Sequence, residues 1–480
     1  MLFNSLDFAI FLPVVFLLYW FATQKNLKLQ NFLIAAASYF FYGWWDWRFL
    51  SLILFSTLVD YSIGVALRRN ENIRIRKTLL WISILVNLGF LGFFKYYNFF
   101  LDNFLEAFAF FGKEINANSL NIILPVGISF YTFQTLSYTI DVYRKQLEPT
   151  KDFIAFAAFV SFFPQLVAGP IERATNLLPQ FYEKRKFDYA KAVDGMRQIL
   201  WGLFKKIVIA DNCAEFANII FNNSDNYSGS TLLLGALFFT FQIYGDFSGY
   251  SDIAIGTSRL FGFNLKRNFA FPYFSRDIAE FWRRWHMSLS TWFRDYLYIP
   301  LGGSRGGTLM KIRNTFIIFI VSGFWHGANW TFIVWGALNA IYFLPLLLLN
   351  KNRQNIGIVA QGKIFPRLTD LINIISTFLL TILAWIFFRA ENIAHAFNYI
   401  ADIFTYKLFN VPEVLPKTIL ITIIVFTMIE WIQREREHAL ELFKSDEFLI
   451  QPVRWGIYFA IIISIFSLGG SQQEFIYFQF

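Results

Sequence analysis

Formal charge is what this chain has least of. Only 16% of its 480 residues are charged, and the 37 residues from Asn314 to Asn350 carry no charge at all. A soluble domain has about 25% charged and about 45–50% apolar residues, whereas here 56% are hydrophobic and 21% aromatic. Sixty-two Phe and fifteen Trp are more than a water-exposed surface can cover, so the chain reads as a polytopic membrane protein. Cysteine is nearly missing too. Cys213 stands alone, which excludes an intrachain disulfide and a multi-cysteine metal site and leaves a packing role for that thiol. No Lys or Arg precedes Lys25. A cleaved signal peptide begins with positive charge and ends on small residues, but Trp20 and Phe21 occupy the place of a cut. The expectation is a retained first span with its N-terminus outside.

The basic residues that are present give a net charge of +9. A nucleic-acid partner would need them in a stripe. They lie instead in short loops between apolar runs, which is how cytoplasmic loops are marked, and no nucleic-acid partner is expected. RRNENIRIRK (68–77) and YRKQLEPTK (143–151) read as cytoplasmic, while 99–121, whose only basic residue is Lys113, reads as external. Apolar runs of roughly twenty residues, the length that crosses a bilayer, give about ten to thirteen crossings.

Two stretches do not fit simple crossings. EKRK (183–186) is also basic, so the apolar segment 152–169 must return to the side it came from. It contains FFPQLVAGPIER (162–173), whose Pro164, Gly169 and Pro170 break a helix, and a re-entrant segment buried in protein satisfies both facts. The uncharged run 314–350 would make about 55 Å of helix against a bilayer core of about 30 Å. It must bend or turn back, with Gly323 and Gly327 as the natural breaking points. Broken helices at membrane depth belong where a cavity or buried site needs lining. The organisation reads as a single membrane domain over 1–480, with N-terminal helices in 1–150, a motif-bearing core in 151–350, and C-terminal helices and tail in 351–480.

Four histidines are available for chemistry. His395 and His438 lie in polar surroundings and read as solvated or interfacial. His326, in FWHGANW (324–330), stands inside the uncharged run, where an ionisable group marks a function or a paired partner. Desolvation disfavours an imidazolium, which leaves a neutral ring able to accept a proton; a core histidine bonded to a carbonyl is the alternative. His286 lies in FSRDIAEFWRRWHMSLSTWFRDYLYIPLGG (274–303). Helical spacing puts Ala279, Trp282, His286, Leu289 and Phe293 on one apolar face and Arg276, Glu280, Arg283 and Arg294 on another, the pattern of an amphipathic helix. YGDFSGYSDIAIGTSRLFGF (244–263) sets Asp246 and Asp252 in an apolar span. They could pair with Arg259, Arg283 and Arg284, or carry protons or a cation as in a transporter. GGSRG (302–306) matches G-x-S-x-G, but it lacks the strand before and helix after that a hydrolase nucleophile needs, so Ser304 reads as part of a loop.

FFPQLVAGPIERA (162–174), YGDFSGYSDIAIGTSRLFGF, FWRRWHMSLSTWFRDYLYIPLGG, FWHGANWTFIVWGALNA (324–340) and WIFFRAENIAHAFNY (385–399) together resemble the membrane-bound O-acyltransferase family, in its bacterial branch of alginate O-acetyltransferase subunits. The resemblance implies an all-α polytopic membrane fold, a ring of tilted helices with re-entrant and amphipathic helices around a central funnel. It implies His326 and His286 as the catalytic positions. Trp325, Asn329, Asp246, Asp252, Arg283, Arg284 and Trp285 are then the residues expected to support the site or line the funnel, with no metal ion. The expected activity is transfer of an acetyl group from a cytoplasmic thioester, acetyl-CoA or an acyl carrier protein, toward an extracytoplasmic polysaccharide, with no permanently bound cofactor. Transfer of another acyl group such as D-alanine, or proton-coupled transport, are the alternatives. The resemblance also implies residence in a bacterial inner membrane and a separate extracytoplasmic partner of the SGNH or lipase-like type. Finally, EFIYFQF (474–480) resembles the acyl-accepting tyrosine peptide of a small partner in the related D-alanylation system. This makes Tyr477 a candidate acyl relay, with an aromatic interfacial anchor as the plainer reading.

Overall fold

Side-chain oxygens start many of the helices by capping first-turn amides that have no partner inside the helix. Ser5, Asn72, Asp152, Asp277, Asn329 and Asn392 each accept such a bond. A computed structural model describes residues 1–113, 115, 117–167, 169–441 and 451–478. All regular elements among them are helical, and they fall into two compact units, residues 1–192 with 257–265, and residues 193–256 with 266–480.

The first unit holds α1 (Leu6–Leu17), α2 (Leu27–Asp46), α3 (Leu50–Arg69), α4 (Ile73–Leu91), α5 (Tyr97–Phe110), α6 (Ile128–Tyr143), α7 (Phe153–Ser161), α8 (Phe163–Leu166) and α9 (Ala174–Leu177). The expected re-entrant stretch is interrupted where the prolines required it. α7 stops after nine residues, about 13 Å of helix, too short to cross a bilayer core. Within this unit α3, α4 and α6 enclose a polar knot. Asp60 accepts from Ser83 Oγ at 2.5 Å, Asn87 Nδ2 at 2.9 Å and Thr139 Oγ1 at 2.9 Å. Asn87 Oδ1 accepts in turn from Ser56 and Thr135. All six side chains are buried.

α10 (Tyr189–Phe204) leads into the second unit, which contains α11 (Asp211–Phe221), most of α12 (Gly229–Leu260), α13 (Ile278–Arg284), α14 (Met287–Phe293), α15 (Thr308–His326), α16 (Trp330–Leu348), α17 (Leu368–Arg389), α18 (Ile393–Ile403), α19 (Lys417–Gln433) and α20 (Gln451–Leu468). The uncharged run turns back as its length demanded. α15 ends at His326, and after Gly327–Asn329 α16 runs antiparallel against it. The two backbones approach so closely that a Cβ on Gly323 would lie 2.1 Å from Phe332 O, and one on Gly336 2.3 Å from Phe319 O. Small residues of this kind are what let helices touch in a membrane, where burial among lipid tails gives no hydrophobic drive.

Among the described residues, six helical stretches are long and apolar enough to cross a membrane: Leu27–Arg69, Ile73–Phe110, Gly229–Leu260, Trp330–Leu348, Leu368–Arg389 and Gln451–Leu468. The larger number of crossings read from the sequence also takes in shorter helices such as Leu6–Ala22. Many of their large apolar side chains face outward, among them Leu85 on α4 and Phe459, Ile463 and Phe466 on α20. A soluble monomer rarely exposes contiguous apolar surface on this scale; lipid accounts for it. The protein is a multi-pass membrane protein.

Candidate active site

His326 is delivered by the α15–α16 turn into an aromatic cage of the second unit. Its ring centroid lies 4.9 Å from Trp325, 5.2 Å from Trp335, 5.2 Å from Phe388 and 5.5 Å from Tyr477, and the residue is 3% exposed. Tyr477 belongs to a short turn, Ile476–Phe478, that follows α20. Its ring also lies 4.5 Å from Phe247 and 6.5 Å from Trp325. Phe247, on α12, meets His286 edge-on at 4.7 Å, and His286 is 6.2 Å from Trp325. Both histidines and Tyr477 therefore belong to one contiguous group of rings.

His286 does not sit on a continuous amphipathic helix. The helix expected over 274–303 breaks after Arg284, and His286 takes φ +43° and ψ +54° before α14 begins. That left-handed conformation is unfavourable for a residue with a Cβ and needs support from its surroundings. The support comes from residues 268–270, which lie alongside the break: Ala270 N donates to Arg284 O and Met287 N to Asn268 O, each at 2.9 Å. The resulting turn redirects the imidazole.

Asn268 also decides how the His286 ring is protonated. Its Oδ1 accepts from Ser288 N at 3.3 Å and Ser288 Oγ at 2.8 Å, while its Nδ2 donates to Ser251 Oγ at 3.0 Å. A backbone N–H can only donate, so the atom it faces is the amide oxygen. His286 Nδ1, 3.1 Å from that oxygen, therefore carries the hydrogen. In the neutral ring this leaves Nε2 as an acceptor, buried and without a hydrogen-bond partner among the described residues. Nothing in KRNFAFPYF marked Asn268 beforehand; the bond spans 18 residues and a chain reversal.

Asp246 and Asp252 pair with lysines and not with the arginines considered for them. Lys206 Nζ lies 2.8 Å from Asp246 Oδ1 and 2.8 Å from Asp211 Oδ1, and Lys205 Nζ lies 2.5 Å from Asp252 Oδ2. Both lysines open a π-helical stretch, Lys205–Ala210. WGLFKKIVIA (201–210) carried the signal that would have found them, since two charges in an apolar span require partners. Asp252 also accepts from Gln198 Nε2, and Tyr244 donates to buried Glu430.

The other residues expected to support the site make the following contacts. Arg283 donates to the carbonyls of Asn352 and Asn355, and Arg284 binds Glu280 and Gly357 O, so the pair anchors α13 to the loop after α16. Trp285 is fully packed among Phe281, Phe269 and Trp385. Asn329 caps α16 and donates to Glu391 O. His438, read as solvated, is buried with its Nε2 3.2 Å from Asp194, a partner 244 residues away that sequence reading had no means to find. His395 is half-buried beside Ser224. Among the described residues no group of three or more His, Cys, Asp or Glu is placed to hold a metal ion.

A cavity of about 410 Å³ runs beside α15. Arg294, Lys311 and Arg353 line the end where α15 begins and α16 finishes. Thr315, Phe319 and Ser322 continue along α15, and Ser322 is one turn before His326.

The family model described as "membrane-bound O-acyltransferase family" matches residues 144–389, and the chain belongs to that family. A probable alginate O-acetylase of Pseudomonas aeruginosa is 41% identical over 416 residues, 86% of this chain and 76% of the relative. A peptidoglycan O-acetyltransferase of Helicobacter pylori is 36% identical over 82% of this chain and 78% of its own. A teichoic acid D-alanyltransferase of Streptococcus thermophilus is 30% identical over 48% of this chain and 61% of its own. The protein is a membrane O-acyltransferase.

Proposed function

We propose that this enzyme moves an acetyl group from a cytoplasmic thioester, acetyl-CoA or an acyl carrier protein, by way of Tyr477 across the membrane for O-acetylation of an extracytoplasmic polysaccharide, with His326 as general base. The observation that carries the reading is the packing of Tyr477 against His326 inside a buried aromatic cage. In the first half-reaction His326 takes the phenol proton as the Tyr477 oxygen attacks the thioester carbonyl. The C–S bond breaks, the thiolate leaves with the proton from the imidazolium, and a tyrosyl ester remains. In the second half an acceptor hydroxyl attacks that ester and loses its proton to a histidine, which returns it to the Tyr477 oxygen. Base assistance of this kind is worth about 10²–10⁴ in rate, and a covalent relay splits one hard step into two easier ones. The aromatic walls keep out water, whose attack on either ester would waste the acyl group.

His286 has a narrower role in this scheme. With hydrogen on Nδ1, its Nε2 accepts a hydrogen bond from the incoming hydroxyl and orients it, and the neutral ring offers no donor there for an oxyanion. The cavity beside α15 suits the donor: its cationic end fits phosphates of a thioester carrier, and its apolar walls lead toward His326. The basic loops around it, with Arg305, Lys311, Arg313, Lys351 and Arg353, support a cytoplasmic side for that end. The same rule supports an external N-terminus in an inner membrane. Polysaccharide acetylation would be finished by a separate extracytoplasmic enzyme of the SGNH or lipase-like type. An acetyl cargo is preferred over D-alanine because the acetylating relatives match more of the chain at higher identity.

The test is mass spectrometry of the Tyr477 peptide after incubation of the purified enzyme with acetyl or D-alanyl thioester. An acetyl adduct on Tyr477, lost in Tyr477→Phe along with polymer acetylation, is expected. An unmodified tyrosine during turnover removes the relay, and a D-alanyl adduct alone changes the cargo.

A further inference from the structure

The segment after α20 is held by main-chain hydrogen bonds as well as by its buried rings. Asn212 Nδ2 donates to Leu468 O, the last carbonyl of α20, at 2.7 Å; beyond it Lys206 Nζ donates to Gln473 O at 3.1 Å, and Ile476 N donates to Asp246 Oδ2 at 2.7 Å. Phe475 and Ile476 are completely buried, and the Phe475 ring packs 4.4 Å from Tyr250. Lys206 and Asp246, which both bind this segment, also face each other as the 2.8 Å ion pair described above, and the Gln473 amide in addition faces the Asp211 carboxylate.

A buried ion pair loses hydration that its mutual attraction recovers only with further hydrogen bonds, and apolar replacements are often no less stable. Its presence here calls for a gain beyond stability. An ammonium has three donors and a carboxylate about four acceptor positions, so a Lys–Asp pair keeps spare capacity on both sides. Here that capacity goes to one carbonyl and one amide three residues apart in the same segment. Two main-chain contacts at fixed separation set the register of a peptide without regard to its side chains.

We infer that Lys206 and Asp246 are positioning residues that lock the register of residues 473–476, so that the next side chain, Tyr477, is the one presented to His326. This rests on the reading of Tyr477 as the acyl relay. Asp211, the second carboxylate on Lys206, holds the ammonium in place. Side chains at 471–474 can then vary freely, whereas one residue inserted between Ile476 and Tyr477 puts the wrong side chain in the cage.

Hydrogen–deuterium exchange of the peptide covering 469–478 in the full-length enzyme tests the lock, read beside the Tyr477 adduct. Losing a hydrogen bond to a charged group shifts a docking equilibrium by about ten-fold or more, so Asp246→Ala speeds exchange by at least that factor and lowers the adduct. Asp246→Asn, whose amide oxygen still accepts from Ile476, recovers part of both, a rescue that a purely structural loss would not show. Should Asp246→Ala fail to fold, Ile476→Pro removes the amide hydrogen, together with the buried Ile side chain, at a position beyond the last membrane helix; the same acceleration is expected. Unchanged exchange in both variants overturns the lock. Faster exchange with undiminished acyl transfer leaves the lock standing and removes the relay reading beneath it.

Discussion

Two buried carboxyl groups, Asp60 and Asp246, solve the same problem differently. Around Asp60, hydroxyls and an amide of α4 and α6 supply the hydrogen bonds, and the second acceptor in the knot, Asn87 Oδ1, is also occupied by neighbours in the same unit. The network is closed. Around Asp246 the partners are a lysine and the main chain of a segment 230 residues later. That arrangement is a receptor with its peptide in place. A membrane interior tolerates polar groups only when they are satisfied, and the comparison shows two outcomes. One satisfied network ties three helices together, while the other holds the segment whose Tyr477 packs against a histidine.

Substitutions can break this contrast, and the largest effect is expected at the chemistry. His326→Ala should lower acyl transfer by about 10²–10⁴-fold without moving the thermal unfolding midpoint of the detergent-purified enzyme. A large loss of stability would reassign His326 to the core. Asp60→Ala should do the reverse. It strands buried donors and should cost about 3 kcal/mol, seen as a lower midpoint, while activity per folded molecule stays unchanged; reduced turnover at full stability would mean the knot is not purely structural. Asn268→Ala lies between them. It frees the His286 ring to rotate and change tautomer, and a loss of about ten-fold in polymer acetylation is expected, with the Tyr477 adduct still forming because His286 acts in the second half-reaction. Absence of the adduct would move His286 to the first. The smallest effect is expected for Arg283→Ala, within about three-fold in rate, because its guanidinium is spent on loop carbonyls away from the histidines.

Much of this molecule was legible as pattern. The uncharged run was too long for one crossing, and the turn between α15 and α16 falls beside the glycines that stood out. The prolines of FFPQLVAGPIER interrupt their helix as their missing N–H requires. His326 stood out because a titratable ring was unexpected in that setting. Other features had no local mark. Helical periodicity continued smoothly through His286, so nothing on that segment announced a break that residues 268–270 impose. Lys205 and Lys206 were visible as charges in a span, but which carboxylates they meet was not. His438 looked solvated because its sequence neighbours are polar, while its partner Asp194 comes from a distant helix.

Local composition and spacing determined that this chain enters the membrane, where its helices must break, and that an imidazole at residue 326 needs a reason to be there. These follow from the thickness of a bilayer and the hydrogen-bonding demands of a backbone, which act on any short segment independently of the rest. Tertiary structure alone decided that Tyr477 meets His326 across 151 residues, that Asn268 sets the tautomer of His286, and that a lysine–aspartate pair binds the segment after α20. Those choices depend on contacts between distant parts of the chain, which no local periodicity encodes.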